Sequence, residues 1–220
     1  ASNGTRLWTR ISGTTLTDIG YGVAFDASSG GVYVTGQVSG SLNGEAYTAG
    51  NGGDIILLKY TSSGTVVWTR IVGTNGTLDA GYGVAVDSST GDAYVTGQAH
   101  GSLNGERYSG GGTVDIFLLK YSSTGTLLWT IMAGGPNAND YGVGVAVDTI
   151  TGDVYASGVT GSGLHGVARQ GNLDAFLLKY ARNGTRIWTR ITGTSTNDNG
   201  RGVAVDTNGI VYVTGFYSAS

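Results

Sequence analysis

The stretch "DIFLLKYSSTGTLLWT", residues 115–130, decides the fold because near copies of it recur along the chain. Full copies are "DIILLKYTSSGTVVWT" at 54–69 and "DAFLLKYARNGTRIWT" at 174–189, and a half copy, "SNGTRLWT", lies at 2–9. The tryptophans of the four copies are spaced 60, 61 and 59 residues apart. Self-similarity at a fixed period is the sequence signature of a repeat architecture, so we infer a repeating unit of about 60 residues.

Each repeat holds four short apolar runs that are separated by glycine-rich turns. In one repeat these runs are "YGVAVD" (82–87), "AYVTG" (93–97), "DIFLLKY" (115–121) and "TLLWTIM" (126–132). The third run is apolar on both faces, which is typical of a strand covered on both sides. We therefore predict an all-β fold, a β-propeller arc of four-stranded antiparallel blades with about 60 residues per blade. A β-solenoid is the alternative, although its coils are usually shorter and its strands parallel.

The composition agrees with turn-rich β-structure and excludes other classes. Glycine accounts for 41 of 220 residues, but only 1 proline and no Gly-X-Y period are present, which excludes collagen. The net charge is −3 and basic residues are spread singly, so we expect no nucleic-acid partner. No apolar run approaches the length of a membrane helix, so we expect no membrane span. The absence of cysteine excludes disulfides and Cys-ligated metals.

The spaced pattern "GYGVAVD-x-x-x-G-x-x-YVTG … D-x-FLLKY-x-x-x-G-T-x-x-WTR-x-x-GT" resembles the SBBP repeat, the repeat of a seven-bladed β-propeller family. The resemblance covers essentially the whole chain. Members are mostly large secreted or surface proteins without common catalytic residues, so the resemblance implies an extracellular or cell-surface scaffold or binding role. The third repeat departs from the pattern, because "GSGLHGVARQGN" (161–172) replaces "GSLNGE-x-Y" and Ile131 stands where the other repeats have arginine.

The repeat boundaries predict one β-propeller region over 1–220. It consists of a partial blade at 1–19, blades at 20–73, 81–134 and 140–193, and a partial blade at 199–220. With strands lettered A to D from the "GVAVD" strand, the chain reads D, then ABCD three times, then A and B. A ring closed from these strands would lack one C strand and leave two edges unpaired, a state that proteins avoid. We therefore predict part of a larger propeller, completed by further copies or segments, with residues 5–11 as an outer strand.

Aspartates recur with the repeat and raise the question of a metal. The turn "D-x-x-x-G-D" offers two carboxylates in two repeats, and the candidate calcium ligands are Asp87, Asp92, Asp148 and Asp153. The other two repeats have Gly31 and Ile210 in place of the second acid. Aspartate also accepts hydrogen bonds from turn amides, and that role explains every copy. We favour the turn role and expect no cofactor, with calcium as the alternative.

Catalytic machinery is not predicted. His100 and His165 fall at different places in their repeats, and no spacing sets either beside a nucleophile or carboxylate. We therefore expect that the protein is not an enzyme. The position that holds Tyr21 and Tyr82 is filled by Val143 and Arg201 in the other repeats, which argues against a lectin with identical sites around a ring.

Two kinds of surface feature remain as candidate sites. The long loop between the second and third strands suggests partner contacts, and its candidates are Glu45, Tyr47, Glu106 and Tyr108. Asn-Gly-Thr sequons are N-glycosylation candidates in a secreted chain, although Asn-Gly also forms tight turns, and they begin at Asn3, Asn75 and Asn183. In a eukaryotic host we expect fuller modification at Asn183 than at Asn75.

Together these features predict a non-enzymatic extracellular structural or adhesive scaffold that presents loops to protein or surface partners. The alternative is a lectin-like propeller that binds carbohydrate or calcium.

Overall fold

The strands form a series of antiparallel sheets that follow the sequence repeat. The computed structural model describes residues 2–48, 52–75, 78–109 and 114–218. The first blade consists of β1 (Ile19–Asp26), β2 (Gly31–Val38), β3 (Asp54–Tyr60) and β4 (Val66–Val72). The second blade consists of β5 (Ala80–Asp87), β6 (Asp92–Ala99), β7 (Asp115–Tyr121) and β8 (Leu127–Ala133).

The third blade has the same strand order with one insertion. Its strands are β9 (Asp140–Val147), β10 (Val154–Thr160), β13 (Asp174–Tyr180) and β14 (Arg186–Thr192), and a small hairpin of β11 (Gly163–Leu164) and β12 (Val167–Ala168) lies between β10 and β13. A fourth, two-stranded sheet pairs β15 (Asp198–Val205) with β16 (Val211–Tyr217). The all-β prediction with four-stranded antiparallel sheets is confirmed. None of the described residues belongs to a helix that could cross a bilayer.

The first strands of the four sheets, the inner strands β1, β5, β9 and β15, lie against one another. Glycine makes this approach feasible. A Cβ atom on Gly22 would lie 2.8 Å from the carbonyl oxygen of Tyr82, and one on Gly83 would lie 2.7 Å from that of Val143. Because no real Cβ contact is that short, the inner strands converge as they do in a propeller only because these positions are glycine.

The core lies between successive blades. Strand β7 contributes Phe117 and Leu119 to a cluster with the first blade, and Ile116 and Leu118 to a cluster with the third blade. All four side chains are at most 2% exposed. This two-sided burial confirms the reading of "DIFLLKY" as a strand covered on both faces.

The outer strands β4, β8 and β14 carry tryptophans that pack inside their own blade, and those of β4 and β8 also bond to the next blade. Within a blade the indole meets a tyrosine of the second strand, as in the edge-to-face pair of Trp68 and Tyr33 with ring centroids 5.7 Å apart. Trp68 Nε1 also donates to the carbonyl oxygen of Ser123 at 3.1 Å, in the hairpin turn of the following blade. Trp129 repeats this bond to Arg182 at 3.3 Å. Strands β4 and β8 are therefore bonded to the blade that follows.

Residues 5–11 occupy the position of such an outer strand without being paired as a strand. Trp8 Nε1 donates to the carbonyl oxygen of Ser62 at 2.8 Å, and Arg10 Nε donates to that of Gly64 at 2.8 Å. Strand β4 makes the same two bonds one repeat later. These contacts are the ones that the outer strand of a preceding blade would make.

The two ends of the array expose side chains that are buried elsewhere. Val23 of the first inner strand is 70% exposed, whereas its equivalent Val84 is 9% exposed. Tyr212 of β16 is 56% exposed, whereas its equivalent Tyr94 is fully buried. These apolar faces are the surfaces that a neighbouring blade covers inside the array.

Candidate functional site: an axial pocket

A β-bulge interrupts each inner strand within a Gly-X-Gly sequence. In β1, for example, Gly20 pairs with Gly36 and Gly22 pairs with Thr35, which leaves Tyr21 without a ladder partner. The same one-residue shift occurs in the other inner strands. Bulges re-aim side chains and recur beside functional sites. The residues at the centre of the four bulges, called the bulge residues below, are Tyr21, Tyr82, Val143 and Arg201.

The bulge residues of all four sheets line one pocket. It has a volume of about 450 Å³ and lies where the inner strands begin. This axial pocket is lined by the bulge residues together with Gln98, Tyr141, Val159 and Asn199. Among the described residues, its wall holds three tyrosines, two amides, two valines and one guanidinium, and no carboxylate.

The polar groups of the pocket have defined environments. The rings of Tyr21 and Tyr82 meet edge to face with centroids 5.0 Å apart, and Tyr21 stays 45% exposed. Burial, together with the neighbouring Tyr21 and Tyr141, raises the pKa of Tyr82 to about 12, so its hydroxyl stays protonated at neutral pH. The Arg201 guanidinium lies over the ring of Phe216, 5.5 Å from the centroid. Among the described residues no carboxylate forms an ion pair with Arg201.

Comparison with known proteins agrees with the repeat seen in the fold. The family model for the SBBP β-propeller repeat matches residues 67–104 and 187–215. The two matched segments are SBBP β-propeller repeats. The two matched SBBP segments include the inner strands β5 and β15, and with them the bulge residues Tyr82 and Arg201. The count of seven blades stays a prediction.

A curated relative is similar to most of this chain at low identity. The chain is 28% identical over 199 residues to the "Regulatory protein FlaEY" of Caulobacter vibrioides. The match covers 84% of this chain but 21% of that protein. The chain therefore spans about a fifth of the length of the curated relative that it matches.

The candidate calcium ligands make contacts with side chains and amides of the chain itself. Asp92 forms an ion pair with Lys120 at 2.9 Å, and Asp153 forms one with Lys179 at 2.8 Å. Asp148 accepts a bond from the amide of Ile150 at 2.9 Å. Asp87 acts likewise, because it accepts bonds from the amide and hydroxyl of Ser89 at 2.9 and 2.6 Å. Asp87 and Asp148 thus make the turn contacts, whereas the side chains of Asp92 and Asp153 pair with lysines. The described residues contain no cluster of three or more metal-ligating side chains.

Both predicted partner-contact residues in the first long loop, Glu45 and Tyr47, bind other residues of the same chain. Asn43 and Gly44 have φ values of 53° and 87°, as a tight hairpin turn requires. The turn places Glu45 beside Arg70, with Oε1 and Nη1 2.9 Å apart. The hydroxyl of Tyr47 donates to the carbonyl oxygen of Gly52 at 2.5 Å.

The second long loop repeats this turn but not the ion pair. Glu106 is exposed, and Ile131 stands where the first blade has Arg70. The amide of Tyr108 donates to the hydroxyl oxygen of Ser102 at 3.2 Å. Glu106 therefore lies exposed to solvent and lacks the arginine partner that its equivalent Glu45 has in the first blade.

The two histidines lie outside the axial pocket. His165 takes the place of Asn43 in the third loop, with φ at 54° and Nδ1 2.8 Å from the Thr189 hydroxyl. Burial lowers the pKa of His165, with a smaller contribution from the charge of Arg186. The amide of His100 donates to Asp79 Oδ1 at 2.8 Å. Both residues thus have structural contacts in loops.

The sequon asparagines are exposed at the surface. Asn3 Oδ1 accepts a bond from the amide of Thr5 at 3.1 Å, and Asn183 Oδ1 accepts one from Thr185 at 3.0 Å. These are equivalent turns of the repeat. Asn75 is exposed as well, while the rest of its sequon lies outside the described residues.

Sequence reasoning did not identify the axial pocket. The four bulge residues differ in type, and from the sequence this argued only against identical sites. Nothing in the spacing showed that the four side chains meet. The signal that could have found the pocket is the Gly-X-Gly sequence itself, whose glycines recur in every repeat while the central residue changes.

Proposed function

We propose that this chain is a non-enzymatic, extracellular or cell-surface scaffold that binds its partner in the axial pocket. The observation that carries the proposal is that the backbone of the pocket is the same in every sheet, whereas the side chain it presents differs. The glycines, the bulge and the strand register recur in every sheet, while the bulge residue changes from sheet to sheet. A rigid frame that presents different side chains toward one point suits recognition, because little entropy is lost on binding.

The chemistry of the pocket supports binding rather than catalysis. Its ionisable groups are tyrosines and one arginine, and a general acid or base works best with a pKa near the operating pH. The pKa of Tyr82 is raised to about 12, which is far from that range. Exposed aromatic rings beside amides and a guanidinium are typical of recognition surfaces.

The location and the scaffold role draw on similarity. The resemblance to secreted and surface repeat proteins supports an extracellular or cell-surface location. The relative from Caulobacter vibrioides is named a regulatory protein, and such a name suits a protein that acts by binding.

We also infer that the two open faces are covered in the native assembly by further blades, from the same polypeptide or another chain. Val23 and Tyr212 support this inference, since both are exposed only where no neighbouring blade packs. The groove beside Trp8 supports it as well, because Val34, Ile56 and Leu58 line it on the side of the first blade.

A binding panel of immobilised extracellular polysaccharides and surface proteins tests the proposed function. The wild-type chain is compared with a Tyr21→Ala, Tyr82→Ala double variant and with Ile150→Ala. Ile150 is the matched control because it is 70% exposed in a turn at the opposite end of the third blade. We expect the double variant to lose a ligand that Ile150→Ala retains. If every ligand in the panel binds both variants equally, the axial pocket is not the binding site.

A further inference from the structure

We propose that the axial pocket binds a saccharide that carries a carboxylate. This inference rests on the proposed function and names the ligand class of the same pocket. Three observations carry it: the charge of the wall, the placement of the aromatic rings and the kinds of hydrogen-bonding group.

The charge of the wall selects an anion. Arg201 is the one charged side chain that lines the pocket, and no carboxylate of the described residues pairs with it. The net charge of the whole chain is −3, so this local positive charge is not part of a general attraction for anions. A guanidinium offers a planar fork of donors that matches a carboxylate. Its contact with the Phe216 ring, 5.5 Å from the centroid, restrains the fork on one side.

The aromatic rings select a ligand with a flat apolar face. Tyr21 is 45% exposed, and its edge-to-face contact with Tyr82 holds it in place. A restrained ring with a free face gives contact area at a low entropic cost. The C–H face of a pyranose ring fits such a surface, whereas a long peptide needs a strand edge or a groove. The pocket volume of about 450 Å³ lies in the range of small-ligand sites.

The remaining polar groups fit hydroxyl recognition. Gln98 is 7% exposed and lines the pocket from β6, and Asn199 lines it from β15. An amide donates and accepts, so each can bind a sugar hydroxyl in either direction. Together with the protonated hydroxyl of Tyr82, these groups provide neutral hydrogen bonding around a single cation.

Isothermal titration calorimetry with matched sugars tests this inference. The probes are trigalacturonic acid, its fully methyl-esterified form, and the pair of 3′-sialyllactose and lactose. Ester and acid share their ring faces, so their difference reports the carboxylate. The sialylated pair shows whether a nonulosonic acid serves as well as a uronic acid. A triglutamate peptide is the probe for an acidic peptide.

The variants are Arg201→Gln and, as the matched control, Arg190→Gln. Arg190 is also exposed and also lies over an aromatic ring, that of Trp188 at 5.6 Å from the centroid, but it does not line the pocket. We expect an acidic sugar to bind at least about tenfold more tightly than its neutral partner, and Arg201→Gln to remove that preference. Arg190→Gln should change the affinity less than about twofold. Circular dichroism and a denaturant curve establish that both variants are folded.

Three results would overturn the inference. One is equal affinity for an acidic sugar and its neutral counterpart, and the second is an acid preference that survives in Arg201→Gln. The third is the binding of triglutamate with higher affinity than both acidic sugars, which would assign the pocket to acidic peptides. If the wild-type chain binds none of these probes but the binding panel yields a ligand that depends on Tyr21 and Tyr82, the scaffold function stands and the acidic-sugar assignment fails.

Discussion

Tyr21 and Tyr82 belong to different blades, yet their rings meet edge to face with centroids 5.0 Å apart. The contact forms because each residue is the bulge residue of its inner strand and the two strands approach across glycine. The wall of the axial pocket is therefore assembled across the junction of two blades. Any change that alters how the blades approach should alter the pocket as well.

Replacement of Gly83 by alanine should separate the second and third blades. The new Cβ would lie 2.7 Å from the Val143 carbonyl oxygen, so the inner strands must move apart. We expect a loss of about 1–3 kcal/mol in the free energy of unfolding. Gly202→Ala is the matched control, because its nearest contact is a side-chain carbon of Thr214 at 3.2 Å. Urea unfolding of both variants measures the difference, and equal losses would contradict the close approach.

The bulge in the third blade should accept a larger side chain. Val143→Tyr places a further aromatic ring at the position that Tyr21 and Tyr82 hold in the first two blades. Since an aromatic contact contributes about 0.5–1.5 kcal/mol, we expect affinity for an acidic sugar to rise by roughly two- to tenfold. Val167→Tyr, in the exposed loop hairpin outside the pocket, should leave the affinity unchanged. Titration calorimetry measures both, and a gain in the control alone would remove Val143 from the site.

Asp92 and Asp153 should stabilise the fold through their ion pairs with lysine rather than by binding calcium. Lys120 is 5% exposed and pairs with Asp92 at 2.9 Å, so Asp92→Ala leaves a buried ammonium without its partner. We expect a loss of about 2–4 kcal/mol in unfolding free energy. Asp153→Ala should cost less, because the Lys179 side chain is 20% exposed.

The same unfolding measurements also test the calcium alternative. We expect the melting temperature of the wild-type chain to be the same in calcium and in chelator. A rise of several degrees with calcium that Asp92→Ala and Asp153→Ala abolish would favour a metal site.

The free energy of unfolding at mildly acidic pH should depend on Asp115. Burial raises the pKa of this carboxyl group above 3.8 against the bonds from Ser109, and the charge of Asp140 raises it further. A raised pKa means that the folded state binds the proton more tightly, so this group adds stability as the pH falls from neutral toward about 4. We therefore expect the wild-type chain to gain stability relative to Asp115→Asn over that range.

Asp148 is the control of opposite sign. Burial raises its pKa, but bonds from the amide of Ile150 and the Thr151 hydroxyl lower it by more, so the net pKa lies below 3.8. Its contribution is present above pH 3.8 and is lost as the pH falls through its folded-state pKa. Denaturant curves at several pH values give both differences. A slope of the same sign for Asp115→Asn and Asp148→Asn would refute the assignment.

Completion of the array can be tested by mass and by exchange. If further blades cover the open faces, the purified 22.4 kDa chain should associate or should exchange amide hydrogens rapidly along β16. Native mass spectrometry gives the first result, and hydrogen exchange at Tyr212–Thr214 compared with Tyr94–Thr96 gives the second. A stable monomer in which both segments exchange equally slowly would show that the inference is wrong.

The sequence predicted the sheets well because their determinants are local and periodic. The two-sided apolar run at 115–121 and the tryptophan spacing each specify strands without knowledge of the neighbours. The fate of Asp92 and Asp153 depended on a lysine about 27 residues away, which spacing alone did not reveal. The axial pocket was harder to predict from the sequence, because Tyr21 and Arg201 are 180 residues apart and line one pocket only after three blade junctions form.

The bonds from the indoles of Trp8, Trp68 and Trp129 to the following hairpin turns have a consequence for how such arrays change in length. In these three contacts the acceptor carbonyl lies in the equivalent hairpin turn of the next blade, so one blade can follow another through the same bond. A duplicated or deleted repeat would leave the contacts on both sides intact. No single repeat therefore determines the number of blades, and the array can lengthen or shorten by whole blades. Each added or lost blade changes one bulge residue at the axial pocket.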